Sequence, residues 1–126
     1  MKQKITTDTA PSAPIYSQAI VSNGLIFVAG QIHLNAQGAL VEGSIEEKLA
    51  QVMSNITAIL TAAGAGLDNI VKLTIFVTDI ADVAKINAIY PSYFSEAFPA
   101  REAVCVAALP LGASLEISVI AEQSDV

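Results

Sequence analysis

Arg101 is the only arginine in the sequence, and it follows Phe98-Pro99-Ala100 at the predicted entry to a strand. A guanidinium group presents a planar fork of donors that matches a carboxylate with two parallel hydrogen bonds. A backbone that passes from a loop into a strand can aim such a long side chain into a cleft. The residue type therefore indicates carboxylate binding. The competing interpretation is a surface arginine whose stem covers an apolar edge.

Glu116 lies in an otherwise apolar stretch that we predict to be a strand. Because side chains alternate across a strand, Glu116 should point to the face opposite Leu115 and Ile117. If an oligomer covers that face, the carboxylate needs a partner, and Arg101 on the neighbouring hairpin strand is the expected one. A nearby arginine would favour ionised Glu116, which could then orient a water molecule as a general base. A purely structural ion pair is the alternative.

Four further residues have suitable chemistry, although each also has an ordinary structural interpretation. Tyr16 and Asn87 can both donate and accept hydrogen bonds. His33, the only histidine, lies beside a predicted turn and is expected to be a partly exposed turn residue. Cys105 lies among valine and alanine residues, where a lone cysteine is usually a small buried hydrophobe.

The scarcity of other reactive residues excludes several familiar kinds of site. A single cysteine cannot form an intrachain disulfide, and one cysteine with one histidine argues against a His/Cys zinc site within one chain. A net charge of −6 with only six scattered cationic side chains argues against nucleic acid as the main partner. Because no stretch has the pattern of a membrane span or a signal peptide, we expect a cytoplasmic protein with no membrane partner.

The first third of the sequence predicts a hairpin. Asn23-Gly24 lies between two apolar runs within residues 18–32, which is the strongest short signal for two strands joined by a tight turn. A second turn is predicted at residues 35–38, leading into a short strand at 39–41. Residues 1–13 are polar and are predicted to be a loosely ordered lead-in.

The clearest helix follows this hairpin. Ser44 and Glu47 have the spacing of a capping box, and apolar residues then recur with a 3.6-residue period as far as position 63. Gly64 can end the helix in the left-handed conformation.

A strand and a second helix are predicted next. Residues 70–78 are rich in β-branched side chains, which is typical of a buried strand. Asp79 or Asp82 can cap the helix, and Pro91 should kink it or end it early because proline has no N–H to donate.

Residues 101–109 and 114–121 alternate as two further strands joined by a short turn at 110–112. The order β-β-(β)-α-β-α-β-β predicts a single α+β domain over residues 1–126, a two-layer sandwich with both helices on one face of the sheet. Charged residues make up only 14% of the chain, whereas soluble domains average about 25%. We therefore expect an oligomer to cover the other face.

Several short motifs occur in a fixed order along the chain: Tyr16-Ser17-Gln18-Ala19, Phe27-Val28-Ala29-Gly30-Gln31, Val71-Lys72-Leu73-Thr74, Asn87-Ala88-Ile89-Tyr90 and Phe98-Pro99-Ala100-Arg101. The spacing from Pro99-Ala100-Arg101 to Leu115-Glu116-Ile117 belongs to the same pattern. In order and spacing, the chain resembles the RidA (YjgF) family over nearly its whole length.

The resemblance implies a chorismate-mutase-like α+β fold in a barrel-like homotrimer, with the sheets inside and three active sites between subunits. It also implies hydrolysis of reactive 2-imino or enamine acids, such as 2-iminobutanoate and 2-iminopropanoate, to 2-oxo acids and ammonia. No cofactor is implied, and the sequence offers no ligands for one.

The family's functional residues can be carried over by position. Arg101 would bind the substrate carboxylate, and Glu116 would hold the attacking water or pass protons to the departing nitrogen. The residues that would line the pocket or contact the ligand through backbone groups are Tyr16, Gly30, Asn87 and Ala103.

Two other functions stay open at this point. The protein could be a non-catalytic trimer that binds small carboxylates or acts like a chaperone, and the departures from the family pattern at Pro14-Ile15, Glu102 and Ala103 leave room for this alternative. An RNA-directed activity, like that of a ribonuclease or translation inhibitor, is opposed by the net charge of −6 and the absence of tryptophan.

Overall fold

The computed structural model describes residues 1–124; Asp125 and Val126, the last two residues of the predicted domain, lie outside the described residues. Six strands of the described chain form one sheet in the order β1-β2-β3-β6-β4-β5. The strands are β1 (Gln3–Ile5), β2 (Ala19–Ser22), β3 (Leu25–Ile32), β4 (Ile70–Val77), β5 (Ala100–Cys105) and β6 (Leu115–Glu122), and the helices are α1 (Ile45–Ala62) and α2 (Asp82–Ile89). The predicted α+β class is confirmed.

The hairpin of β2 and β3 forms where Asn23-Gly24 predicts it. Both residues have a positive φ, 52° at Asn23 and 79° at Gly24, as the tight turns of two-residue hairpins require. Ser22 pairs directly with Leu25 across the turn.

Both ends of α1 also form as predicted. The Oγ of Ser44 accepts a hydrogen bond from the Glu47 N–H at 3.1 Å, and the Glu47 carboxylate accepts the Ser44 N–H in return. At the other end Gly64 has a φ of 80°. This lets the Ala65 N–H donate to the Leu60 carbonyl at 2.8 Å, which satisfies a carbonyl that the helix itself leaves free.

The predicted early end of α2 is confirmed, but its capping differs from the prediction. The helix ends before Pro91, and the chain continues as a 3₁₀ turn. The N-cap position is Ala81, which has no side-chain acceptor. Asp79 instead accepts the Ala81 N–H at 3.0 Å in the turn before the helix, and Asp82 is the first helical residue.

The predicted hairpin of the last two strands is wrong. β5 ends at Cys105 and runs parallel to β4, with α2 in the connection between them. β6 then crosses to the other side of β4 and pairs antiparallel with both β3 and β4. Between β3 and β4 both edges of β6 are paired, whereas beside β5 one of its edges would stay open. Arg101 on β5 and Glu116 on β6 are consequently separated by β4.

Residues 1–13 are also more ordered than predicted, because β1 pairs with β2 and the Gln18 side chain holds the following loop. The Gln18 Oε1 accepts the Thr7 N–H at 2.8 Å. Its Nε2 donates to the carbonyls of Thr7, Ala10 and Pro11 at 2.9–3.1 Å. A single buried amide thus fixes the segment that the polar composition suggested would be loose.

The short strand predicted at residues 39–41 is reduced to a single bridge between Leu34 and Leu40. The turn before it is present, since the Gly38 N–H donates to the Asn35 carbonyl at 3.0 Å. The Asn35 side chain accepts two further backbone N–H groups.

The helices cover one face of the sheet and leave the other uncovered. Along β6 the odd-numbered residues from Leu115 to Ala121 are buried beneath the helices, whereas Glu116 and Ser118 point to the uncovered face. The predicted alternation is confirmed. Phe27 and Val104 also lie exposed on the uncovered face. No helix within residues 1–124 is both long and apolar enough to span a membrane.

Candidate active site

A pocket of about 340 Å³ lies where β3 and β6 meet the loops at one end of the sheet. Three of the predicted site residues line it together: Tyr16, Gly30 and Glu116. Tyr16 is 46% exposed. The loops contribute apolar side chains, which are Pro11, Leu34, Pro110 and Leu111.

A break in the β3–β6 pairing brings Gly30 against Glu116. Val28 pairs with Val119 and Gln31 pairs with Ile117, so β3 has one residue more than β6 in this interval. Such a bulge re-aims nearby side chains. A Cβ at position 30 would overlap the Glu116 carboxylate and lie 2.9 Å from its Cδ. The carboxylate therefore occupies the space that a larger residue at position 30 would need.

Burial raises the pKa of Glu116 above its ordinary value. The expectation that a neighbouring arginine would keep this carboxylate ionised is wrong within one chain, because Arg101 is not on the adjacent strand. A carboxyl group with a raised pKa can exchange protons nearer to neutral pH than an exposed one.

Arg101 points to the other face of the sheet. Its register partner on β4 is Leu73, which is fully buried under the helices. The guanidinium carbon lies 4.9 Å from the centroid of the Tyr90 ring, within the range of a cation–π contact. No carboxylate of residues 1–124 forms an ion pair with Arg101. Its donors are therefore available to an anion from elsewhere.

Asn87 and Ala103 lie on the same side of the molecule as Arg101. Asn87 is exposed on α2, one helical turn before Tyr90. Ala103 is partly buried against the core on β5. The predicted site residues thus fall into two groups within one chain: Tyr16, Gly30 and Glu116 at the pocket, and Asn87, Arg101 and Ala103 beyond β4.

Glu102 points away from Arg101, as the strand alternation predicts. Its carboxylate accepts a hydrogen bond from the Thr74 hydroxyl and lies 3.4 Å from the Lys72 ammonium on the uncovered face. These two contacts, the hydrogen bond foremost, lower the pKa of Glu102. The Glu102 carboxylate is thus paired on the uncovered face and does not compete for the Arg101 guanidinium.

His33 is fully buried, so the prediction of a partly exposed turn residue is wrong. Its Nδ1 lies 2.8 Å from the Val41 carbonyl, and its Nε2 accepts the Ser114 N–H at 3.0 Å. The ring joins the loop after β3 to the start of β6, two residues before Glu116. Burial lowers the pKa of His33. The prediction for Cys105 is also wrong, because its side chain is exposed.

The sequence did not predict a functional role for two residues, Tyr90 beside Arg101 and Leu111 at the pocket. Tyr90 matched the apolar face of the second helix, and nothing in that pattern indicates that its ring also supports Arg101. Leu111 lies in a predicted turn, and a turn motif does not show which way its side chain points. Residues 1–124 contain no cluster of three or more His, Cys, Asp or Glu side chains suited to a metal ion.

The sequence profile of the family described as Endoribonuclease L-PSP matches residues 7–123. The chain belongs to this family. It is the family that the sequence motifs indicate, also known as RidA or YjgF, and the predicted membership is confirmed.

Members of the RidA family resemble the chain over almost its full length. Protein HMF1 of Saccharomyces cerevisiae is 44% identical over 122 residues, which cover 96% of this chain and 95% of that protein. The 2-iminobutanoate/2-iminopropanoate deaminase of Bos taurus is 42% identical over 125 residues, covering 98% of this chain and 91% of that protein.

The fold agrees with solved structures of the RidA family. The crystal structure of yeast Mmf1 superposes with a TM-score of 0.95 at 40% sequence identity, covering 98% of this chain and all of that one. At this identity the likeness extends from the fold to the family.

Proposed function

We propose that the protein hydrolyses 2-imino acids, such as 2-iminobutanoate and 2-iminopropanoate, to 2-oxo acids and ammonia without a cofactor. The observation that carries the proposal is the Glu116 carboxyl group, which is half-buried in the pocket against Gly30 and has a raised pKa. The 42% identity to a Bos taurus deaminase that is named for this reaction supports the same substrate class.

We further propose that a second copy of the chain completes each site within a homotrimer. Arg101 and Glu116 lie on strands separated by β4 and point to opposite faces, so one chain cannot direct both at one small substrate. An unpaired, half-buried arginine is a suitable receptor for a carboxylate. The uncovered sheet face, with Phe27 and Val104 exposed on it, supplies apolar surface for association.

The reaction needs little chemical power once the reactants are oriented. Water adds to the carbon of the protonated imine, its oxygen forms the new C–O bond, and the C=N pair moves to nitrogen. A proton passes from the attacking oxygen to that nitrogen. As the C–N bond breaks, the remaining hydroxyl group becomes the carbonyl and gives its proton to the departing ammonia. The products are a 2-oxo acid and ammonium, so atoms and charge balance with the protonated imine and water. Orientation of the substrate and one proton relay are sufficient for this sequence.

Glu116 is the group placed to relay that proton. In its ionised form it accepts a proton from the attacking water, and in its protonated form it donates to the departing nitrogen. Because burial raises its pKa, both forms are accessible closer to neutral pH than for an exposed carboxyl. Arg101 of the second copy would hold the substrate carboxylate, and Tyr16 would close the mouth of the pocket.

The decisive experiment follows trapping of 2-iminobutanoate by semicarbazide as a threonine dehydratase produces it. Wild-type protein should suppress trapping, and Arg101→Ala and Glu116→Gln should not. Lys85→Ala provides a matched control, since Lys85 is an exposed cation on α2 that contacts Asp82. Two outcomes would contradict the proposal. Either both site variants suppress trapping as the wild type does, or none of the proteins suppresses trapping of any of several imino acids.

The alternatives predict different results in the same preparation. A non-catalytic carboxylate-binding protein would bind a 2-oxo acid without altering trapping. An RNA-directed activity has little support from the pocket, because none of its lining residues is a lysine or arginine that could pair with a phosphate.

A further inference from the structure

Neither the backbone conformation at position 111 nor packing in the hydrophobic core accounts for a leucine there. Its φ is 59° and its ψ is 20°, in the left-handed region. A leucine there is strained, because its Cβ comes too close to its own backbone, and glycine avoids that cost. The side chain is also 72% exposed, so it contributes almost nothing to the hydrophobic core.

The Leu111 side chain does line the pocket that holds Glu116. Strained residues of this kind persist where the surrounding structure holds them, and they are concentrated at binding sites. Asn23 is the other non-glycine residue with a positive φ within residues 1–124. It lies in the β2–β3 turn, where asparagine is commonly found. Leu111 also lies in a tight turn, which the Ala113 N–H closes by donating to the Pro110 carbonyl at 3.1 Å, but leucine is not a residue that such turns favour.

Most of the residues that line the pocket with Leu111 are apolar. Pro110, Leu34 and Ile32 line the same pocket, and Glu116 is the only charged side chain among the lining residues. A substrate side chain that bears a second carboxylate would find no cation there and would be repelled by Glu116. An ammonium group would compete with the substrate nitrogen for the same carboxylate. An aliphatic chain, in contrast, would bury apolar surface against Leu111.

We propose that Leu111 selects the side chain of the substrate and favours unbranched aliphatic 2-imino acids longer than 2-iminopropanoate. This inference rests on the proposed function, because it assumes that the imine carbon lies at Glu116. Each methylene group buried against the apolar wall should raise kcat/KM about fourfold until the pocket is filled.

The test compares kcat/KM for the imino acids that an amino-acid oxidase makes from alanine, 2-aminobutyrate, norvaline and glutamate. The wild type should prefer the norvaline product over the alanine product by about tenfold or more and should disfavour the glutamate product. Leu111→Gly should reduce the norvaline preference to near unity. Asn23→Gly replaces the other left-handed residue at a distance from the pocket and should leave the preference as in the wild type.

Three results would overturn the inference: an unchanged preference in Leu111→Gly, an equal loss of preference in Asn23→Gly, or an altered oligomeric state in Leu111→Gly. The last result would assign Leu111 to subunit contact. If the wild type hydrolyses no imino acid, the proposed function fails separately. Calorimetric binding of 2-oxobutanoate and 2-oxohexanoate to wild type and Leu111→Gly then decides the inference, which stands only if the longer acid loses its advantage in the variant.

Discussion

The Glu116 carboxylate lies in the space that a Cβ at position 30 would occupy. Such an atom would be 2.9 Å from the Glu116 Cδ, closer than carbon atoms approach without repulsion. Gly30 therefore determines where the carboxylate rests, although its own backbone has no strained conformation. The residue with the smallest side chain in the pocket thus controls the position of the carboxylate to which we assign proton transfer.

Gly30→Ala should accordingly impair imine hydrolysis without unfolding the protein. The added methyl group meets the far end of a flexible side chain, which can move aside, so Glu116 loses its place while the sheet remains. We expect kcat to fall about 100-fold, at the lower end of what general acid–base catalysis contributes. Gly66→Ala is the matched control, since a Cβ there meets no atom within 4 Å. Equal kcat values for the two variants would contradict this role of Gly30.

Subunit complementation should distinguish a shared site from one contained in a single chain. Arg101→Ala and Glu116→Gln should each be inactive alone. If the two residues act from different subunits, random mixing in equal amounts should restore activity to about one quarter of the wild-type level, because each site draws its two residues independently. The mixture is prepared by co-expression with two affinity tags. Activity no higher than that of the separate variants would place both residues in one chain's site.

The Tyr90 ring should position Arg101 for carboxylate binding. Tyr90→Leu removes the cation–π contact at 4.9 Å and should raise KM about tenfold with little change in kcat. Tyr90→Phe keeps the ring, so KM should stay near the wild-type value.

The Tyr90 hydroxyl is buried and has no hydrogen-bond partner among residues 1–124. Its removal should leave the melting temperature equal or higher.

A purely structural role for Tyr90 would give a different pattern. Tyr90→Leu would then lower the amount of folded protein, and its KM measured on the folded fraction would match the wild type. Circular dichroism and active-site titration separate the two outcomes.

His33 should make the protein less stable as the pH falls. Its pKa in the folded state lies below the ordinary value of 6.5 because of burial. Below pH 6.5 the unfolded chain therefore takes up a proton that the folded chain excludes. The contribution of neutral His33 to the free energy of unfolding is fully present above pH 6.5. It is lost as the pH falls from 6.5 toward the pKa of His33 in the folded state. Urea unfolding of wild type and His33→Phe between pH 7.5 and pH 5 measures this difference.

His33→Phe should be less stable than wild type at pH 7.5, by about 1–3 kcal/mol, because the Ser114 N–H and the Val41 carbonyl lose their buried partner. The difference in free energy of unfolding between the two proteins should become smaller as the pH falls. A constant gap over this pH range would show that His33 does not titrate between the two states.

Short-range signals were sufficient for much of the fold. The turn at Asn23-Gly24, the capping box at Ser44 and the end of α1 at Gly64 each depend on groups within a few residues, and all three predictions are confirmed. The side of the sheet to which Glu116 points was equally predictable, because alternation along a strand is local.

Strand partners and buried polar contacts could not be read in the same way. The neighbour of β5 is β4 rather than β6. Such a pairing joins segments that are distant in the sequence, and no residue near Arg101 reveals it. Likewise, the partners of His33 and Gln18 lie up to 81 residues away in the sequence. Polar residues look alike in a sequence whether they face water or satisfy a distant backbone group.

The insertion of β6 between β3 and β4 has a consequence for how the protein reaches its native state. β3 and β4 are synthesised before β6, the strand that lies between them, so their facing edges stay unpaired until residues 115–122 have been made. Pairings between such distant segments slow folding and expose strands that can aggregate. Glu116 lies on β6 itself. A chain whose sheet is incomplete therefore lacks the carboxyl group to which we assign proton transfer, so the proposed activity requires the finished sheet.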